Sequence, residues 1–172
     1  MVDRLLGGLT EADLANEEKV RIVVAQKAFM ADRNRLLLVR KSPSDPYNPG
    51  LWEVPGGRMR GADEGLDEHI VREVREEAGI EIEPGPPFHM WDWAMPADDG
   101  GCVRVIAVAR QCRALSHEVT TSGQISGDHI DEVRWVRLDA VARYPLIPGI
   151  DGAVERFLRL RGAHPSEAVC RR

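Results

Sequence analysis

The sequence predicts an α/β (α+β) domain. Runs rich in β-branched residues precede and follow one central amphipathic helix, a second helical pattern comes near the end, and Gly/Pro clusters punctuate the chain. The pattern leaves the topology open. With 172 residues, 43% hydrophobic and 30% charged, the composition is that of one globular domain long enough to bury a real core. Residues 20–161 are expected to form that domain, residues 1–19 an N-terminal extension and residues 162–172 a fraying tail.

Each element has its own signal. In the extension, Thr10 can cap a short helix over residues 11–18, with Asp13 reaching back. Residues 20–29 read as a strand, Asp32-Arg33-Asn34 as a turn and residues 36–39 as the second arm of a hairpin. Residues 41–50 hold three prolines and must be a loop, whose Lys41, Tyr47 and Asn48 are either ligand contacts or ordinary solvated groups. A short strand over residues 51–54 turns Trp52 inward and leads into Pro55-Gly56-Gly57. The helix that follows starts near Asp63 or Glu64, where acidic groups suit the dipole, and stops at Gly79. Leu66, Ile70, Val74 and Ala78 recur every fourth residue and make its apolar arc.

Past the helix, residues 81–87 give a strand fragment ended by prolines, and residues 88–93 alternate loosely around Trp91 and Trp93. Two tryptophans so close serve either the core or base stacking. Asp98 to Gly101 makes a hairpin turn into the longest strand, residues 102–112. Residues 113–131 are polar and too long for a plain connector. Residues 132–138 form the last strand, and residues 151–160 a helix with Val154, Phe157 and Leu158 on one face.

The chemistry concentrates on the central helix. Glu73, Glu76 and Glu77 fall at i, i+3 and i+4, so three carboxylates lie together and repel by a few tenths of a kcal/mol per exposed pair. Arg72 and Arg75 offset only part of that. A solvated acidic face is the plain reading; a site for a hard divalent cation, which prefers carboxylate oxygen, is the sharper one.

The segment from Gly56 to Ile80 resembles the Nudix box: Gly, five residues, Glu, seven residues, then R-E-U-x-E-E-x-G-U, with U apolar. Glu64, Arg72-Glu73-Val74-Arg75-Glu76-Glu77 and Gly79-Ile80 match every specified position. One departure stands out: six residues, not five, separate Gly57 from Glu64. An insertion within a helix would turn every later side chain by about 100°, so it must be absorbed before the helix begins. A bulge at Arg60-Gly61-Ala62 is expected, with Gly61 left-handed and Glu64 still facing Arg72; the competing arrangement gives Asp63 the place of Glu64.

The resemblance implies the Nudix fold, a mixed β-sheet sandwiched between α-helices, and a metal-dependent hydrolase that cleaves a diphosphate linkage in a nucleoside diphosphate derivative. It implies Mg²⁺, with Mn²⁺ as a substitute, held by Glu73, Glu76, Glu77 and the carbonyl of Gly56. Arg72 would hold the glutamates in place and Glu64 would support them. Glu76 or Glu77 would be the general base, with Asp128, Asp131 and Glu132 as outside candidates for base or ligand and His129 without a role. Pro96, 16 residues after Ile80, resembles the spacing of members that act on ADP-ribose. ADP-ribose or an ADP-sugar is therefore the preferred substrate, a (d)NTP the alternative. Two further classes share the fold: a nucleotide-sensing module without catalysis, which usually lacks box glutamates, and an isopentenyl-diphosphate isomerase, which needs a catalytic Cys in a motif absent around Cys102.

A formal net charge of −5 argues against nucleic-acid or anionic-membrane partners. No apolar run reaches the length of a membrane span, and the first 20 residues have no signal-peptide core. The three cysteines have no metal-ligand spacing, and Cys102 and Cys112 would lie ~33 Å apart along one extended strand. A cytoplasmic protein with reduced thiols is expected, and a small-molecule partner, with a homodimer left open.

Overall fold

The computed structural model describes residues 21–61, 64–97, 101–125, 127 and 129–162. They form, in chain order, strands β1 (Arg21–Asp32), β2 (Arg35–Lys41) and β3 (Trp52–Glu53), helix α1 (Leu66–Ala78), strands β4 (Ile82–Glu83), β5 (Pro87–Pro96), β6 (Cys102–Ala114) and β7 (Ile130–Arg137), a 3₁₀ helix (Leu138–Arg143) and helix α2 (Asp151–Leu160). The expected extension helix, the Asp98-Asp99-Gly100 turn and the tail beyond residue 162 lie outside the described residues.

The sheet is mixed. β1 runs parallel to β6 from Arg21 opposite Val103 to Met30 opposite Cys112. That pairing needs a crossover, and the chain between the two strands supplies one with α1 in it. β5 adds antiparallel to β6, while β2 pairs antiparallel with β7 and with β3. The β1–β2 hairpin is paired only at Ala31–Leu36 and Asp32–Arg35. The two strands diverge beyond its turn, and β1 is free to pair with β6.

Strand alternation decides what packs where. Phe29 on β1 and Leu36 and Leu38 on β2 face one side, where Val154, Phe157 and Leu158 of α2 complete a core with Trp52 and Val54. Ala28, Met30 and Leu37 face the other, against Ile70, Val74 and Ala78 of α1. Each helix covers one face, which gives the sandwich. No helix among the described residues is long and apolar enough to cross a membrane.

Several expectations need correction. Helix α1 is capped by Gly65, whose N–H is accepted by the Glu68 carboxylate at 3.1 Å, rather than by Asp63 or Glu64. Asp63 lies outside the described residues, and Glu64 stands before the helix because its carboxylate is committed to Arg72. Leu66 does not join the apolar arc; it is 56% exposed at the helix start. Arg75 pairs with Glu81 instead of the glutamate cluster. Gly61 is not left-handed and has open space around it, so any bulge there needs no glycine. The strands overrun their expected limits, β1 reaching Asp32 and β6 reaching Ala114. The polar segment after β6 packs on the end of α1, where Thr120 donates its N–H to the Ala78 carbonyl at 3.0 Å.

Phe157 lies 5.3 Å from Phe29 and 5.8 Å from Phe88, centroid to centroid, and is fully buried. Phe157→Ala should therefore cost about 3–5 kcal/mol in urea unfolding. A loss under about 1 kcal/mol would show that α2 contributes little to the core.

Candidate active site

The Pro55-Gly56-Gly57 turn is laid along β1. Ala28 N–H donates to the Pro55 carbonyl at 2.8 Å, Gln26 N–H to Gly57 at 3.0 Å, and Met59 N–H to Val24 at 2.9 Å. At Gly56, with φ 130°, a Cβ would fall 2.2 Å from the Gln26 carbonyl oxygen. At Gly57 a Cβ would fall 2.2 Å from Oε2 of Glu73. The first glycine lets the turn lie on the strand, and the second lets the helix bring a carboxylate up to the turn.

Helix α1 delivers those carboxylates at one-turn spacing. Glu73 is 6% exposed and Glu77 3%, so two of the three are inside the protein, while Glu76 is half-buried. Glu77 Oε2 accepts the Gly56 N–H at 2.8 Å. Arg72 brackets the others. Its guanidinium takes both Glu64 oxygens, at 2.6 and 3.0 Å, and its Nη1 reaches Glu73 and Glu76, each at 2.8 Å. The hydrogen bond from Arg72 holds the Glu64 carboxyl below the usual range, and Glu64, Glu73 and Glu76 together raise the Arg72 guanidinium. The structure brings together all five box positions that the sequence singled out: Gly56, Arg72, Glu73, Glu76 and Glu77, with Glu64 behind them.

Three groups beside them form a charge ladder. Lys27, buried in β1, pairs with Glu53 and donates to the Gly56 carbonyl at 2.6 Å. Glu53 also meets Lys41 at 3.2 Å, and Lys41 lies 3.9 Å from Glu77. Burial pushes the Glu53 carboxyl up, but the two lysines more than offset it, and the net direction is down. Burial pulls Lys41 down, and Glu53 and Glu77 more than reverse that. Glu77 is pushed up to about 8, chiefly by burial, with Glu53 adding to it and the lysines opposing. Lys27 and Glu53 were missed from sequence. The available signal was a lysine in the middle of an apolar strand and a glutamate between Trp52 and Val54.

Lys27, Glu53, Gly56, Glu73 and Glu77 line one wall of a cavity of about 490 Å³, while Glu64, Arg72 and Glu76 are not part of its lining. Trp91 and Trp93, on one face of β5, line another with Tyr47 and Pro96. Both tryptophans are half-buried at the cavity, and they also pack on the core, Trp91 on the α2 side and Trp93 against Ala25, Val103 and Val105. Lys41, Asn48 and His129 also border it. Asp131 and Glu132 do not: both pair with Arg40, at 2.8 and 3.1 Å. Asp128 lies outside the described residues.

The donor set of Glu73, Glu76, Glu77 and the Gly56 carbonyl is all oxygen and fits a hard divalent ion. Among the described residues no three acidic, imidazole or thiol groups are already drawn together as a metal would draw them. Arg72, Lys27 and the Gly56 N–H hold those oxygens instead.

A mixed sheet between two helices, with an acidic helix facing a glycine turn across one cavity, defines the class: an α/β domain with its site at the turn between β3 and α1. The chain belongs to the Nudix family of hydrolases, whose NUDIX domain model matches residues 21–157. It is 26% identical over 152 residues to the CTP pyrophosphohydrolase of Escherichia coli K12, covering 81% of this chain and 95% of that protein. It is 28% identical over 127 residues to an isopentenyl-diphosphate Delta-isomerase of Escherichia coli O1:K1, covering 73% of this chain and 64% of the isomerase. The Nudix domain of Shewanella oneidensis NrtR, solved with ADP ribose, superposes with a TM-score of 0.60 at 23% identity, over 90% of this chain and 100% of that domain. That likeness shows the shared fold. Nudix hydrolases generally use divalent metal ions.

A carboxyl raised from its ordinary 4.5 to about 8 binds its proton more tightly in the folded than in the unfolded chain. The metal-free protein therefore loses stability as pH rises across that window, where the unfolded chain has already released the proton. Glu77→Gln, which keeps an acceptor for the Gly56 N–H, should flatten the fall, so that the variant melts above the parent at pH 8.5 without metal. Equal pH slopes for the two proteins would mean that Glu77 titrates normally.

Proposed function

We propose that this protein hydrolyses a phosphoanhydride bond in a nucleoside diphosphate derivative, with ADP-ribose or an ADP-sugar as the preferred class. The observation that carries the reading is the glycine turn, where Gly56, Glu73, Glu77, two lysines and a pair of tryptophans border the same cavity, with Glu76 joined to Glu73 through Arg72. Glu73, Glu76, Glu77 and the Gly56 carbonyl would hold Mg²⁺, or Mn²⁺ in its place. Such an ion supplies charge neutralisation for phosphate oxygens and acidifies water.

The chain's own residues do the rest. Arg72 fixes the glutamates, and Glu64 fixes Arg72 through two hydrogen bonds. Lys27 and Lys41 offer protein-borne positive charge to a diphosphate, each held ready by Glu53. Trp91 and Trp93 present ring faces on which a base can stack. Glu76 is the least buried of the three and is not part of the cavity's lining. The isomerase reading is not favoured: Cys102 is exposed, Cys112 is buried, and neither borders the cavity, while Cys170 lies outside the described residues. A second substrate class, a (d)NTP, is favoured by the likeness to the CTP pyrophosphohydrolase across nearly that whole protein.

Incubation with Mg²⁺ and a panel of ADP-ribose, ADP-sugars, CTP and dNTPs, followed by phosphate-bond cleavage, tests this directly. ADP-ribose or an ADP-sugar should lead in kcat/KM; a tenfold lead for CTP or a dNTP would transfer the assignment to the second class. Cleavage of none of them would leave a sensing module.

Glu76→Gln should lower kcat at least a hundredfold, about 2.7 kcal/mol in the barrier, and weaken Mg²⁺ binding with little change in metal-free melting. Near-parental turnover in that variant would make the acidic row a structural feature.

A further inference from the structure

Behind Glu73 lies a second polar chain, fully buried at Gln26 and His69. His69, 0% exposed, is four residues before Glu73 on the same face of α1. Its Nδ1 stands 3.0 Å from Nε2 of Gln26, a β1 side chain that is 1% exposed. The Gln26 amide is oriented at both ends. Its nitrogen also meets the Leu66 carbonyl at 2.7 Å, and its oxygen meets Nη1 of Arg110 at 3.2 Å. A flipped amide would set oxygen against a carbonyl and nitrogen against a guanidinium. Arg110 is itself tied to Asp67 at 2.6 Å and to the Gly85 carbonyl at 2.8 Å.

The orientation fixes the ring. An amide nitrogen only donates, so Nδ1 must accept, and the imidazole proton belongs on Nε2. That Nε2 is buried and without a hydrogen-bond partner among the described residues. It points at Oε1 of Glu73, 3.5 Å away, slightly too far for a formed bond. A buried donor left unsatisfied is destabilising, so it is not a neutral packing choice. The same Oε1 takes Arg72 at 2.8 Å, while Oε2 occupies the space that a side chain at Gly57 would need.

We propose that His69, held by Gln26, is a positioning residue that sets the rotamer of Glu73, keeping Oε1 turned inward to the Nε2–H and Oε2 turned toward the glycine turn. The inference rests on the reading of Glu73 as a metal ligand, and it goes beyond that reading by making an Arg110–Gln26–His69 chain set how well the ion is held. A shift of about half an ångström in Glu73 closes the Nε2–H···Oε1 bond.

Two measurements on the full-length protein test it. Long-range ¹H–¹⁵N correlation of the metal-free protein should show His69 as the neutral Nε2–H tautomer, with a signal that moves in Glu73→Gln. A proton on Nδ1, or an imidazolium, overturns the proposal. Calorimetric titration with Mg²⁺ alone should show binding weakened about tenfold or more in His69→Ala and in Gln26→Leu, as for other supports of metal ligands. In a Glu73→Gln background the same substitutions should change Mg²⁺ affinity less than twofold. An equal loss in both backgrounds marks His69 as packing only and overturns the proposal. If His69→Ala fails to fold, Gln26→Leu carries the comparison. If the parent itself fails to bind Mg²⁺, the metal reading falls, and the His69 resonance in Glu73→Gln still decides whether the two side chains are coupled.

Discussion

The structure depends on one close approach, that of the α1 carboxylates to the Gly56-Gly57 turn. Neither side of the contact tolerates a Cβ: one would strike β1 and the other would strike Glu73. The turn can come so near only because β1 offers it backbone partners at Val24, Gln26 and Ala28. Helix α1 can come so near only because Ile70, Val74 and Ala78 seat it on the β1–β2 face. Burying ionised carboxylates costs several kcal/mol each without compensation, so the rest of the site must answer for that approach.

The answer is arithmetical. The ion pairs fall into two groups: Glu53 and Glu77 with Lys27 and Lys41, and Glu64, Glu73 and Glu76 around Arg72. The first is balanced, two against two; in the second, three carboxylates face one guanidinium, a deficit of two charges. In the first group, burial pushes Glu77 up to about 8. Lys27 meanwhile caps the Gly56 carbonyl with its ammonium. The acidic row is therefore not bare: lysine, arginine and backbone N–H groups answer part of its charge.

What the sequence revealed was local. The box, its helix, the glycine turn and the Gly79 stop were legible because each rests on spacing within one turn or one helix. The faces of α2 were legible for the same reason. Gln26 and His69 were not, because their meaning lies in a contact between strand and helix 43 positions apart, nor was Lys27, whose partners lie on β3 and the glycine turn. In the sequence, Gln26 and Lys27 simply interrupt a strand. Glu53 hid similarly, as one polar residue in a two-residue strand. The helix start was misread because an acid adjoins the capping glycine, and Glu64 is engaged by Arg72 instead.

The cavity has two walls of different origin. The charged wall comes from β1, β2, β3, the turn and α1, which all bind to one another through backbone pairing or core packing. The aromatic wall comes from β5, paired only to β6, and from the loop carrying Tyr47, which is 63% exposed. Changing the first wall disturbs the charge balance and the fold together. The second is not independent of the fold either, since Trp91 packs against the core under α2 and Trp93 against the smaller core of Ala25, Val103 and Val105. Of the aromatic side chains that border the cavity across from the charged wall, the sheet thus holds two in place and leaves Tyr47 exposed.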